Sequence, residues 1–559
     1  MIWNQSYLLF GHGLAFSFAL AALPLVTMLV MLGVFRKPAW IAGLCGFGVA
    51  LALATLGYRM PVHMALGAAA YGVAFGLFPI TWIILWAITL FRVTVEAGQF
   101  EIIKDSIGRL TPDSRLQALL IAFAFGGFLE GAAGFGTPVA IAATMLIGLG
   151  FSAYRASAIC LLTNTAPVAF GSIGIAIFTL AGTTGLPLAK LSGAVGAICT
   201  PISFIIPVYM IIALGGIRAM RGIWFPTILA GTVFGAVQLF VSFYLGPQLT
   251  DILAALMAMM AVVILLRIWK PKTPDALNEN GIEASQTDFT RSKDEAKSGP
   301  AARVAIPNHP IQEVLYAWTP YALLVACVLL WGWVPVQNEL SKATLLIKWP
   351  YLHDLVQRVP PIVVSPSPYH AVFTLNWLAA AGTACMVATL LSVAFLRISV
   401  RQFLKILYGV LKQLRLPTAT VSSVLAIAFL MNYCGATATL GLAFSATGVL
   451  FPLFSALLGW VGVFLTGSDT SANALFGNLQ VVTAERLGFS PILMAASNSA
   501  GGVMGKMISL QTIAIAAGAT GLSAEEQAKL FRFTLRHSVL LVLFTGCVVL
   551  AFAYVFHFN

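Results

Sequence analysis

The sequence predicts an all-α, polytopic membrane protein of about 12 transmembrane helices plus two re-entrant hairpins in an inverted-topology repeat. Three observations carry this reading. Of 559 residues, 59% are hydrophobic and 9% charged, where a soluble domain carries about 25% charged residues. Apolar runs long enough to cross a hydrocarbon core of about 30 Å recur along the whole chain. Two further apolar stretches, one in each half, are broken by glycine- or serine-rich strings that each hold a lone acid.

Full crossings are expected at 8–34, 40–57, 64–92, 155–180, 187–214, 223–245 and 250–268. A second set follows at 314–335, 370–396, 417–451, 490–518 and 535–556. The 417–451 run is too long for one crossing and should break near Cys434-Gly435. Arg36 with Lys37, Arg92 to Arg115, Arg155, Arg218 with Arg221, Arg397 to Arg415 and Lys529 to Arg536 all fall on one side. The excess of Lys and Arg makes that side cytoplasmic and places both termini outside. Met1 to Gly11 has no basic stretch or A-x-A-like cleavage site, so no removable signal peptide is read.

Two transmembrane halves, 1–268 and 313–559, are joined by a hydrophilic stretch at 269–312. Its near-balanced charges with Asn, Ser and Pro suit a disordered cytoplasmic linker. Segments 100–107 and 401–415 mix basic and apolar residues and are expected to lie on the membrane surface. Residues 336–369 form a proline-rich external loop. The net charge of +12 reflects orientation signals rather than a nucleic-acid surface, because no basic patch interleaves with aromatics. The seven cysteines stand singly, without a C-x-x-C pair, so neither metal nor disulfide is indicated, and no cofactor is expected. Nothing in the pattern sets an oligomeric state.

Each hairpin follows from its neighbours. Residues 116–150 run between Arg115 and Arg155, both cytoplasmic, so this segment enters and leaves from one side. Its middle, Gly126-Gly127-Phe128-Leu129-Glu130-Gly131-Ala132-Ala133-Gly134-Phe135-Gly136-Thr137-Pro138, breaks a helix at membrane depth. Such backbone survives there only when buried in protein or lining a cavity. Residues 452–484 behave alike from the opposite face, with Thr466-Gly467-Ser468-Asp469-Thr470-Ser471-Ala472-Asn473 at the break. Matched strings keep a nearly constant offset: Phe128-Leu129-Glu130 to Phe464-Leu465-Thr466, Leu149-Gly150-Phe151-Ser152 to Leu487-Gly488-Phe489-Ser490, and Asn164-Thr165-Ala166-Pro167 to Asn498-Ser499-Ala500-Gly501. The Asn strings should each interrupt a long helix. The orientation count runs the matched segments in opposite directions, which places a substrate site at the midplane among broken helices.

Glu130, Asp469 and Lys506 are the only charges within 116–154, 416–484 and 487–524 respectively. A charge at the bilayer centre costs roughly 2.5–3.5 kcal/mol even on insertion scales, so such residues mark an ion or substrate path. A small carboxylate crossing here needs donors and positive potential. Freed helix N-termini supply both. Asn164, Thr165, Thr466, Ser468, Thr470, Ser471, Asn473, Asn498 and Ser499 add further donors, and Gly131 and Gly134 let the backbone approach. Lys506, the one full cation, is expected to meet the substrate carboxylate, Asp469, or each in turn. Glu130 or Asp469 in low dielectric is suited to carrying a proton. The less favoured reading is structural, with each acid capping a helix or holding two helices together and Lys506 locking Asp469 in a static pair.

In Gly127-Phe128-Leu129-Glu130-Gly131-Ala132-Ala133-Gly134-Phe135-Gly136, Asn164-Thr165-Ala166-Pro167-Val168-Ala169-Phe170-Gly171, Gly459 to Ser471, Gly501 to Ser509 and Leu530-Phe531-Arg532-Phe533-Thr534 the chain resembles the L-lactate permease family, bacterial inner-membrane carriers. The resemblance covers nearly the whole length. It implies uptake of L-lactate, with D-lactate and glycolate, by symport with a proton. It also implies an ion-transporter-superfamily-like fold with elevator-like movement. Thr137 stands where that family suggests alanine before Pro138, close enough to the tip to adjust selectivity, and 270–312 matches poorly. A sodium-coupled or other small-carboxylate carrier of the same fold is the alternative. A dicarboxylate calls for a second cation. An intramembrane enzyme using Ser468 or Ser471 beside Asp469 lacks a histidine base in either hairpin. A channel suits paired opposite hairpins less well than alternating access does.

Overall fold

In hydrocarbon a backbone amide must find its hydrogen bond within its own protein, so the apolar runs fold as helices. A computed structural model describes residues 2–134, 136–269 and 307–556. The core of the linker expected at 269–312 lies outside the described residues. Among those described, 12 helices are long and apolar enough to span a membrane. Peripheral helices such as Leu14–Gly33 turn most of their apolar surface outward, with Leu23, Val26, Phe240, Ile264 and Leu543 exposed as lipid-facing side chains are. Ser114–Ala132 is the opposite case, with 94% of its apolar window buried.

Both expected breaks are present. Ser114–Ala132 ends at Ala133, the backbone turns through Gly134 (φ +58°) and Gly136 (φ +79°), and Thr137–Gly148 follows, packed back on the first arm. Phe451–Thr466 ends at Gly467 (φ +72°), and Asp469–Leu487 folds back against it. The break expected near Cys434-Gly435 falls at Gly435 (φ +92°).

Three expectations are corrected. The Asn164 string does interrupt its helix: Ala153–Thr163 and Val168–Thr184 meet at 69°. Its counterpart does not, because Pro491–Lys506 runs unbroken through Asn498 to Gly501 and stops only at Met507–Ser509. Glycines there serve close packing instead. A Cβ on Gly459 would land on the Asn498 carbonyl oxygen, one on Gly501 on that of Ala456, and one on Gly505 on that of Trp460. Small residues of this kind let two membrane helices approach backbone to backbone.

The segment 401–415 is the first part of one 35-residue helix, Val400–Cys434, whose Ile406, Val410 and Leu414 stripe is buried while the basic residues project outward. Pro417, at the junction with the span, is carried inside the continuous helix. The crossing expected at 370–396 is helical only over Ala381–Phe395. Its start, Val372–Leu375, is a β-branched and aromatic strand paired antiparallel with Leu345–Lys348. The external loop is therefore a small folded cap. Trp3–Asn4 pairs parallel with Val356–Arg358, and Asp354 joins His353 (3.1 Å) and His370 (2.5 Å).

Candidate functional site

The two breaks and the two long helices after them converge. Lys506 closes the helix Pro491–Lys506, where a cation complements the negative helix end. Its ammonium donates to Glu130 Oε1 at 2.6 Å, with the Lys506 and Glu130 side chains 11% and 2% exposed. Lys506 thus meets the acid of the first hairpin, not Asp469, and ties the two halves of the chain together. An ammonium has three N–H donors. The others find no protein acceptor among the described residues. Gly171 fits over the carboxylate: a Cβ there would stand 2.7 Å from Glu130 Oε1.

Asp469 opens the helix Asp469–Leu487, whose cap Ser468 accepts from the Ser471 amide at 3.3 Å. A carboxylate in the first turn meets the positive helix end. Ser499 donates to Asp469 Oδ2 at 2.5 Å and Asn473 Nδ2 lies 3.3 Å from the same oxygen. Asn473 also reaches Ser499 Oγ and the Ala176 carbonyl, while Asn498 donates to Asn473 Oδ1 at 2.9 Å and accepts from Gln480. The network fixes Asp469 Oδ2, while Asp469 Oδ1 and the Gln480 side-chain oxygen have no partner among the described residues. Gly502 permits it, since a Cβ there would lie 2.5 Å from Asp469 Oδ1.

The remaining expected residues divide by what they do. Thr466 holds the second break through Gly462 O (2.7 Å) and the Ser468 amide, and Ser468 caps. Thr165 bonds its own turn at Leu162 O (2.6 Å). Ser471 is buried and Thr470 half-buried in the first turn after the break. Asn164 is buried with its amide nitrogen unpartnered. Gly134 sits so tightly that a Cβ would land on Ser172 Oγ, and Ser172, Ile173 and Gly174 are all left-handed (φ +49°, +60°, +74°). Two non-glycine residues in that region store strain beside the site. The side chain of Thr137 lies outside the described residues.

Arg115, expected only as an orientation signal, is fully buried, but its guanidinium is taken by Asp113 (2.7 Å) and by the Ala219 and Arg221 carbonyls. It is a staple, not a second anion site.

Sequence reasoning missed Asp251. It lies in the first turn of Thr250–Ile268, is 1% exposed, and neither oxygen has a hydrogen-bond partner within 3.5 Å among the described residues. Its helix packs on Gly126–Ala132, and a Cβ on Gly131 would stand 3.0 Å from Asp251 Cβ. The signal available was an acid opening an apolar helix directly after Gly246-Pro247, which reads as an ordinary membrane end.

The L-lactate permease family model matches residues 17–556. The chain belongs to the L-lactate permease family. It is 42% identical to the L-lactate permease of Bacillus subtilis, over 98% of each chain. It is 39% identical to the glycolate permease GlcA of Escherichia coli, over 99% of this chain and 98% of that one. The YdaH transporter of Alcanivorax borkumensis is similar over 86% of each chain at 14% identity and a TM-score of 0.42, too distant to bear on the site. A member of this permease family with 12 apolar spans is a multi-pass protein of the bacterial inner membrane.

Proposed function

We propose that the chain is a secondary active importer of small 2-hydroxymonocarboxylates, namely L-lactate, D-lactate and glycolate, driven by proton symport. The observation that carries this is Lys506. It is a nearly buried ammonium with a single protein acceptor among the described residues, placed between the two broken regions in a chain related to L-lactate and glycolate permeases. One available cation suits a monoanion, while Arg115 is already saturated. The oxygen Asp469 Oδ2 is met by donors from Ser499 and Asn473 rather than ringed by oxygens, which favours proton over sodium coupling.

Glu130, Asp469, Asn473, Asn498 and Ser499 are all buried, so a solute reaches them only through a conformational change. Hairpins 116–150 and 452–484, entering from opposite faces as an inverted repeat, would move as a block against a scaffold that includes Val62–Glu96 packed on Val400–Cys434. That is elevator-like alternating access.

The test is uptake of labelled L-lactate into proteoliposomes under an inside-alkaline pH gradient without sodium. An overshoot competed away by glycolate is expected. Uptake that appears only with sodium overturns the coupling, and none under either condition overturns the substrate. In the same assay Asp469→Asn should keep the fold, since an amide can still accept from Ser499, yet lose most of its gradient-driven uptake. Normal uptake by that variant would remove Asp469 from the site. Glu130→Gln should also lower uptake, since it leaves Lys506 without its partner, and uptake equal to wild type would exclude Glu130 from the site.

A further inference from the structure

Four ionisable groups occupy the buried region between the hairpins, and they are not equally provided for. Glu130 has an ammonium at 2.6 Å. Asp469 has two donors on one oxygen. Among the described residues Asp251 has no counter-charge in contact and no hydrogen bond within 3.5 Å. The Gln238 amide faces it from Trp224–Tyr244; it donates one N–H to Ala166 O (3.2 Å) and accepts from Ser203 Oγ (2.7 Å), which leaves its second N–H as the one neutral donor turned toward Asp251. The other titratable groups around it are Glu130, Lys506 and the Cys199 thiol. A carboxylate anion buried with no counter-charge in contact and one neutral amide beside it is costly, whereas the neutral acid is far less so. With Glu130 across the Gly131 contact, a second negative charge would also repel the first.

We propose that Asp251 is the proton-carrying group of the transport cycle. Its carboxylate takes a proton from external water, the neutral acid admits the substrate monoanion to Lys506, and the proton leaves to cytoplasmic water once the anion has gone. Coupling arises from charge alone. Lys506 is the one cation shared by Glu130, Asp251 and Asp469, so an incoming anion binds well only after Asp251 is neutral, and a bound anion holds the proton in place. The assignment rests on the carrier reading above and names the group that couples it.

The experiment uses the full-length protein in proteoliposomes and compares wild type, Asp251→Asn and Asp251→Glu. Asp251→Asn should lower gradient-driven L-lactate uptake by about tenfold, within the usual range of coupling energies, and abolish lactate-induced acidification reported by an internal pH dye. It should retain lactate counterflow, which needs binding and movement but no net proton, and its lactate affinity should lose its pH dependence. Asp251→Glu should restore part of the proton influx. Wild-type proton influx in Asp251→Asn overturns the assignment. So does loss of counterflow in both variants, which would make Asp251 structural. Wild-type protein that carries no lactate in any assay overturns the carrier reading and this assignment with it.

Discussion

Lys506→Ala should lower L-lactate uptake by about 100-fold, the effect of removing one partner from a desolvated charge pair at 2–5 kcal/mol and 1.4 kcal/mol per decade. Two consequences must be separated. The substrate loses its cation, and Glu130, 2% exposed, is left without its partner. Breaking a buried pair by removing one member costs about 3–5 kcal/mol, whereas replacing both members with neutral groups is often tolerated. The double variant Lys506→Met with Glu130→Gln should therefore recover the thermal stability lost in Lys506→Ala while remaining inactive. Recovery of transport in the double variant would show that the pair only holds the halves together. Near-normal uptake by Lys506→Ala would remove the anion site altogether.

The lone charges were legible because charge is rare in these spans. Glu130, Asp469 and Lys506 stand out by composition alone, and the glycines and serines around the two acids announce the breaks. The pairing was not legible. Lys506 and Glu130 are 376 residues apart, and the sequence offered Asp469 as the protein partner of Lys506. Asp251 escaped because an acid in the first turn of an apolar helix normally faces headgroups. Only the packing of Thr250–Ile268 on Gly126–Ala132, with Gly131 yielding the space, buries it. The strand Val372–Leu375 was hidden because hydropathy does not distinguish a short β run from the start of a helix.

Glycine misled at Gly501 for a related reason. In a membrane helix the residue has two opposite uses, as a breaker or as a place where another backbone touches, and sequence alone does not choose between them. The structure chooses contact, and this makes a second strong prediction. Gly501→Ala drives a methyl group into the Ala456 carbonyl, and Gly459→Ala drives one into Asn498 O. These neighbours are backbone atoms of packed helices, so neither moves aside as a side-chain tip does. Overpacking costs typically about 1–3 kcal/mol and more where backbone is met. Both variants should show a clearly lower melting temperature in detergent and a loss of monodisperse protein, with Asn498 displaced from Asn473. Gly518→Ala is the control: it lies within the helix Leu510–Thr520 with no atom within 4 Å of the new methyl. Alanine in place of an exposed helical glycine should be neutral or stabilise by up to about 1 kcal/mol. If Gly501→Ala melts with Gly518→Ala, the helices Phe451–Thr466 and Pro491–Lys506 are not in backbone contact, and the network joining Asp469, Asn473 and Ser499 loses its foundation.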